Sequence, residues 1–133
     1  MMRAIVVWVP DWPVVALGTA EGAVAIMHAN RVVACSAAAR AQGVKRGMKR
    51  RDAQGACPQL QLAPADAGRD ERAFQPVIAR LNARSPGVQM LLPGLAALRA
   101  RGPARFYGGE AEAARALIVG LPDARAGIAD GIF

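Results

Sequence analysis

Seven basic residues, Arg31, Arg40, Lys45, Arg46, Lys49, Arg50 and Arg51, fall in one window, residues 31–51, that contains no acid. Elsewhere the 133-residue chain sets ten basic residues against all ten of its acids, so this window carries the whole net charge of +7. Small residues and glycines break the block up, as in Ser36-Ala37-Ala38-Ala39-Arg40-Ala41-Gln42-Gly43-Val44-Lys45-Arg46-Gly47-Met48. Apolar, folded-looking segments lie on both sides of it, which a disordered basic tail would not have. The block is therefore built into a domain. A localised basic block on an otherwise neutral domain is an electrostatic footprint for a polyanion.

The length is that of one domain with a real core, and 53% apolar residues argue against disorder. Two cysteines, Cys35 and Cys57, make no disulfide framework and read as buried free thiols in a reducing compartment. With His28 as the single histidine, a zinc site would need unusual ligands; His28 reads as a strand end, and neither a metal nor a cofactor is expected. The apolar stretch 4–17 is cut by Pro10, Asp11 and Pro13, too short to span a membrane and without a signal peptide's basic start or cleavage site. The expected location is cytoplasmic. The apolar ending after a turn signal at 126–133 suggests a piece of a longer protein.

Local patterns alternate between strands and helices. Ala4-Ile5-Val6-Val7-Trp8-Val9, closed by Pro10, reads as a strand buried on both faces. Asp11 reads as an N-cap for a short helix or turn reaching Leu17. Residues 23–28 and 31–35 read as strands around an Ala29-Asn30 turn. Ser36 caps a helix over 37–42 that Gly43 stops. A second short helix covers 50–57, and Leu60-Gln61-Leu62 is a short strand. The longest helix spans 66–84, with Phe74, Val77, Ile78 and Leu81 on its dry side. Its wet side carries Arg69, Asp70, Glu71, Arg72, Arg80 and Arg84, and Pro76 should kink or break it. Residues 87–92 and 94–99 read as neighbouring strands, Arg101-Gly102-Pro103 as a turn, 110–119 as a helix and 125–129 as a last strand. The expectation is an α/β domain with a small helical insertion that carries the basic block.

The ordered set Ala38-Ala39-Arg40, Gly43-Val44-Lys45-Arg46-Gly47-Met48, Ala53 and Cys57-Pro58 resembles the fingers segment of Y-family, translesion DNA polymerases. The first strand, the long helix and Gly127-Ile128-Ala129 also fall where that family has them, so the resemblance covers nearly the whole chain. It implies a partial polymerase palm, a mixed sheet with packed helices, over 1–34 and 59–133, with a small helical fingers insertion over 35–58. Within the family, Val7-Trp8-Val9-Pro10-Asp11-Trp12-Pro13, 28–35 and Pro93-Gly94-Leu95 are in the style of the polymerase-like accessory proteins of bacterial mutagenesis cassettes.

Active members hold two metal ions between carboxylates, one Asp after the first strand and an Asp-Glu pair near the middle. Here the pair's place is taken by Gly94 and Leu95 or their neighbours, and no acid occurs between Glu71 and Glu110. The first acid's place falls on Pro10 or Asp11, and one carboxylate cannot hold two Mg²⁺ ions against water. The resemblance puts the fingers Tyr at Ala37 and the ribose-screening aromatic at Val15 or its neighbour, and keeps the phosphate-side Arg as Arg40. Arg40 reads equally as a phosphate contact or as a helix-surface charge.

These residues lead us to expect a polymerase-like protein without catalysis. Arg40, Lys45, Arg46, Lys49, Arg50 and Arg51 would meet the backbone phosphates of a primer–template, or form a solvated charged face. Few aromatics accompany them, so base stacking on the block is not expected. By the resemblance, further partners are the sliding clamp, an error-prone polymerase alpha subunit and a RecA-like accessory protein, through regions mostly beyond residue 133, in an adaptor role after DNA damage. Gln59-Leu60-Gln61-Leu62 has the flavour of a clamp-binding peptide but alternates like a core strand. The alternatives are an active polymerase with displaced metal ligands and a pure protein-interaction scaffold.

Overall fold

The computed structural model describes residues 2–18 and 21–131. They form two compact units, one of Met1–Pro10 with Glu71–Phe133 and the other of Asp11–Asp70. The second unit is thus larger than the insertion expected over 35–58. The physical reason is that the strands flanking the basic block build a sheet and a core of their own.

In the first unit, strand β1 (Arg3–Trp8) is central in a four-stranded sheet with β5 (Gln89–Leu92), β6 (Leu95–Arg99) and β7 (Arg125–Asp130), in the order β5-β6-β1-β7. Every pairing in it is antiparallel. Ala4, Ile5, Val7 and Val9 are buried, while Val6 and Trp8 are only half-buried, so the strand is less evenly covered than its apolar run suggests. Phe74 and Leu81, from the long helix α4 (Ala67–Arg84), are fully buried, as are Ala96, Ala97, Ala113 and Leu117.

Pro76 lies inside α4 without ending it. Proline removes one intrahelical hydrogen bond, but the buried Phe74 and Leu81 on either side of it hold the helix against that loss. The expected turn at 101–103 is instead the start of helix α5 (Arg101–Tyr107). Pro103 sits in its first turn, where backbone N–H groups have no intrahelical partner and a missing one costs little. Helix α6 (Glu110–Ile118) follows.

The second unit holds α1 (Trp12–Leu17), β2 (Val24–His28), β3 (Arg31–Cys35), α2 (Ala37–Ala41), α3 (Arg50–Ala56) and β4 (Gln61–Pro64). Its sheet has the order β3-β2-β4, antiparallel between β2 and β3 and parallel between β2 and β4. Ala29 and Asn30 join β2 to β3 with φ of 49° and 65°, the left-handed pair that a two-residue hairpin loop demands. Ala25, Val32, Cys35, Ala39, Val44, Ala53, Cys57 and Leu60 make one buried cluster, with both cysteines free. Of the clamp-like tetrapeptide, Gln61 and Leu62 open β4, Gln59 lies in the preceding turn and Leu60 is buried in the core.

Asp70, expected on the wet side of α4, is 9% exposed. Its carbonyl accepts a 2.8 Å hydrogen bond from the Trp12 indole N–H, and its carboxylate lies 3.4 Å from the Arg69 guanidinium. Burial of the indole, with a polar N–H that needs a partner, draws this turn of helix inward. Among the described residues, no helix is long and apolar enough to cross a membrane.

Candidate nucleic-acid interface

Local rules set the basic block in place. The Ser36 hydroxyl accepts from the Ala39 amide at 3.2 Å, as an N-cap should, and also accepts from the Val24 amide at 2.9 Å while donating to the Gly22 carbonyl at 3.0 Å. One side chain thus ties the start of α2 to the strand beside it. At the other end of α2, Gly43 adopts φ 98° and donates to the Arg40 carbonyl at 3.0 Å, while the Val44 amide donates to the Ala39 carbonyl at 3.1 Å. That pair of bonds is a Schellman motif, and Val44, 1% exposed, is its buried apolar stop.

After this stop the chain runs along the edge of β3. The Gly47 amide donates to the Val32 carbonyl and the Val32 amide to the Met48 carbonyl, both at 2.8 Å, and the Arg50 amide donates to the Asn30 carbonyl at 3.0 Å. Arg31 and Lys49 pair as an antiparallel bridge. A positive φ of 91° at Gly47 lets the chain turn into this edge. Lys45, Arg46, Lys49, Arg50 and Arg51 are all exposed, and no acidic partner is found for any of them among the described residues.

Lys49, Arg50 and Arg51 occupy the N-cap and first turn of α3. Cations there oppose the helix dipole, an arrangement that folding alone does not favour. Arg31, though in the same basic window, turns its guanidinium back to donate to the Gly47 carbonyl at 2.8 Å, and so braces the loop.

Arg40 is engaged differently from its neighbours. Its guanidinium donates to both oxygens of the Asp11 carboxylate, at 2.8 Å each, and to the Cys35 carbonyl, also at 2.8 Å. The hydrogen bond to Asp11 raises its pKa above the ordinary arginine value, so it stays charged at any working pH. Asp11 does stand at the N-cap position of α1, but with φ 57° and no side-chain cap bond. The N-cap role expected for its side chain is therefore corrected: the carboxylate is turned to Arg40 instead. No sequence signal marks this pair, because its members are 29 positions apart.

The resemblance also pointed to Val15, Ala37, Gly94 and Leu95. Val15 is an exposed residue of α1, and Ala37 is the exposed first residue of α2. In the first unit the Val9 amide donates to the Gly94 carbonyl at 2.9 Å, just before Pro10, and Leu95 pairs with Trp8. Gly94 has φ 90° and forms the β5–β6 turn with Pro93. Its identity thus answers to the turn. No group of three or more His, Cys, Asp or Glu side chains that could hold a metal ion is found among the described residues.

The fold is shared with solved polymerases. One is a Y-family DNA polymerase chimera of Dbh and Dpo4, with a TM-score of 0.72 and 15% sequence identity over 98% of this chain and 43% of that one. Another is Dbh in a ternary complex with partially disordered substrates, with a TM-score of 0.73 and 16% identity over 98% of this chain and 42% of that one. The chain spans less than half the length of these proteins. No curated protein matches the chain significantly. The family model of the impB/mucB/samB family matches residues 13–118. With most of its length matched by that model, and with the palm-type fold of Y-family polymerases, the chain belongs to the impB/mucB/samB family.

Proposed function

We propose that this is a polymerase-like domain that does no nucleotidyl transfer and holds DNA by its phosphates. The observation that carries the reading is the Asp11–Arg40 pair: the one carboxylate aligned with a polymerase metal ligand is closed off by a fork of two 2.8 Å hydrogen bonds. The donor set supports it further. Two divalent cations in an oxygen cage need several carboxylates, and residues 72–109 contain no acid. Those residues do not match what a two-metal centre requires.

The DNA-holding half rests on Lys45, Arg46, Lys49, Arg50 and Arg51, five exposed cations on a loop pinned to a sheet edge and on the start of the helix that follows it. A fixed row of charges loses little entropy on meeting a phosphate backbone, and such contacts position without reading sequence. In keeping with the resemblance to ImuB-like accessory proteins, the domain serves an adaptor that brings a sliding clamp, an error-prone polymerase alpha subunit and a RecA-like protein together in damage-induced mutagenesis.

The test is binding to a fluorescent primer–template, read by anisotropy over a salt series, for the parent and for a variant with Lys45, Arg46, Lys49 and Arg50 all changed to Glu. Affinity of the parent should fall with salt at a log–log slope of about −0.9 per contacted phosphate, and the variant should flatten that slope. Equal binding by the two folded proteins removes the basic block from the reading and favours a protein-docking scaffold. Saturable Mn²⁺ binding that Asp11→Ala abolishes would restore the catalytic alternative.

A further inference from the structure

The neutral balance outside the basic block hides a second separation of charge. Residues 72–109 hold Arg72, Arg80, Arg84, Arg99, Arg101 and Arg105 and no acid. Two of these are internal braces: Arg80 donates to the Gly120 carbonyl at 3.3 Å and Arg84 to the Leu117 carbonyl at 2.6 Å. Arg101 and Arg105 are not. They stand one helical turn apart on α5, both exposed, with no acidic partner found among the described residues.

Together with Arg3, Arg99 and Glu110 they line an open recess of about 570 Å³, the small side chains of Ala100 and Ala104 leaving room between them. The acids near this recess are already spoken for. Glu110 accepts from Arg3 at 2.8 and 3.2 Å, and Asp130 accepts from Arg3 at 3.3 and 3.4 Å. The charge left on its rim is therefore positive and carried by guanidinium forks, whose geometry suits phosphate oxygens.

Next to Arg105 on the same helix is Phe106. At 80% exposure it is the most exposed large apolar side chain among the described residues. Its ring makes a T-shaped contact with Tyr107, with centroids 4.8 Å apart and planes at 81°, and most of the ring stays open to solvent. It also lines a second recess of about 340 Å³ with Pro103 and Tyr107. An exposed aromatic ring beside arginines that no described acid pairs with is the combination that takes an unpaired nucleic-acid strand: bases stack on the ring while the cations follow the backbone. The basic block of the other unit, poor in aromatics, lacks the first of these elements.

We propose that α5 is a single-stranded nucleic-acid contact, with Arg101 and Arg105 on the phosphates and Phe106 under a base. It rests on the reading of the chain as a nucleic-acid holder but uses different residues in a different unit.

The experiment is anisotropy with a fluorescent oligothymidylate and, in parallel, the primer–template duplex. The proteins are the parent, Phe106→Ala, a double Arg101→Glu/Arg105→Glu variant, and the four-fold basic-block variant, each checked for fold by circular dichroism. Phe106→Ala should weaken the single strand about five-fold or more and leave the duplex unchanged. The double variant should reduce the single-strand salt slope by about 0.7 per lost phosphate contact. Because Phe106 supports no core, its truncation leaves the fold intact, so unchanged single-strand binding by Phe106→Ala overturns the proposal. If the basic-block variant loses the duplex while the α5 variants bind both ligands as the parent does, the α5 contact alone fails. If the α5 variants lose the single strand while the basic-block variant keeps the duplex, the basic-block reading alone fails.

Discussion

Asp11 and Arg40 meet fork to fork: two N–H donors of one guanidinium face the two oxygens of one carboxylate, each at 2.8 Å. A third donation from the same guanidinium, to the Cys35 carbonyl, fixes the arginine to the end of β3. The pair joins the left-handed turn before α1 to the last turn of α2. The carboxylate just after the first strand is thus given an internal cation.

The pair is half-exposed, with side-chain exposures of 49% for Arg40 and 30% for Asp11, so water screens it. A double-mutant cycle of Asp11→Ala and Arg40→Ala, read by urea denaturation, should give a coupling of about 0.5–1 kcal/mol. Arg40→Ala alone should cost more than Asp11→Ala, because it also strips a donor from the Cys35 carbonyl. Zero coupling would mean that the fork is not held in solution.

Gly47 has open space around a notional Cβ, so any cost of a side chain there comes from the backbone. Its φ of 91° makes Gly47→Ala about 1 kcal/mol destabilising. The same change should loosen the bonds to Val32 and weaken primer–template binding, though it removes no charge. Loss of stability with unaltered affinity would show that the loop need not be pinned to hold DNA.

Ser36 does more than cap a helix. Ser36→Ala removes a bond to each of the Ala39 and Val24 amides and one to the Gly22 carbonyl. The expected loss is about 2 kcal/mol, at the upper end of N-cap substitutions, seen as a lower urea midpoint with an unchanged slope.

Glu110 is held below the ordinary carboxylate value of 4.5, first by its hydrogen bond from Arg3 and also by the charge of that arginine. A carboxylate depressed in the folded state contributes stability above its unfolded pKa and loses it as pH falls through the folded one. Glu110→Gln should therefore lower the melting temperature at neutral pH, and the difference from the parent should close as the medium is acidified past that value. A gap that persists in strong acid would assign the effect to packing.

Signals that act within a turn or two of chain were legible beforehand. The Ser36 cap, the Gly43 stop and the Ala29-Asn30 hairpin each depend on a few adjacent residues, and each stands where the residues put it. The basic block, too, is part of a folded unit, because the glycines and small residues that interrupt it are the ones its turns need. Where local rules competed with packing, packing decided: Pro76 is carried through α4 by its buried neighbours, and Asp70 is drawn in beneath the indole of Trp12.

By itself, then, the sequence determined most of the order of strands and helices, α5 excepted, together with the clustering of positive charge and the stretch 72–109 that holds no acid. Only the tertiary structure decided which charges are spent and which are free. Arg31, Arg40, Arg80 and Arg84 are turned onto protein oxygens, whereas Lys45, Arg46, Lys49, Arg50 and Arg51, and on α5 Arg101 and Arg105, remain exposed. A charged side chain chooses its partner by distance in space and by the cost of leaving water, and neither is written in its neighbours along the chain.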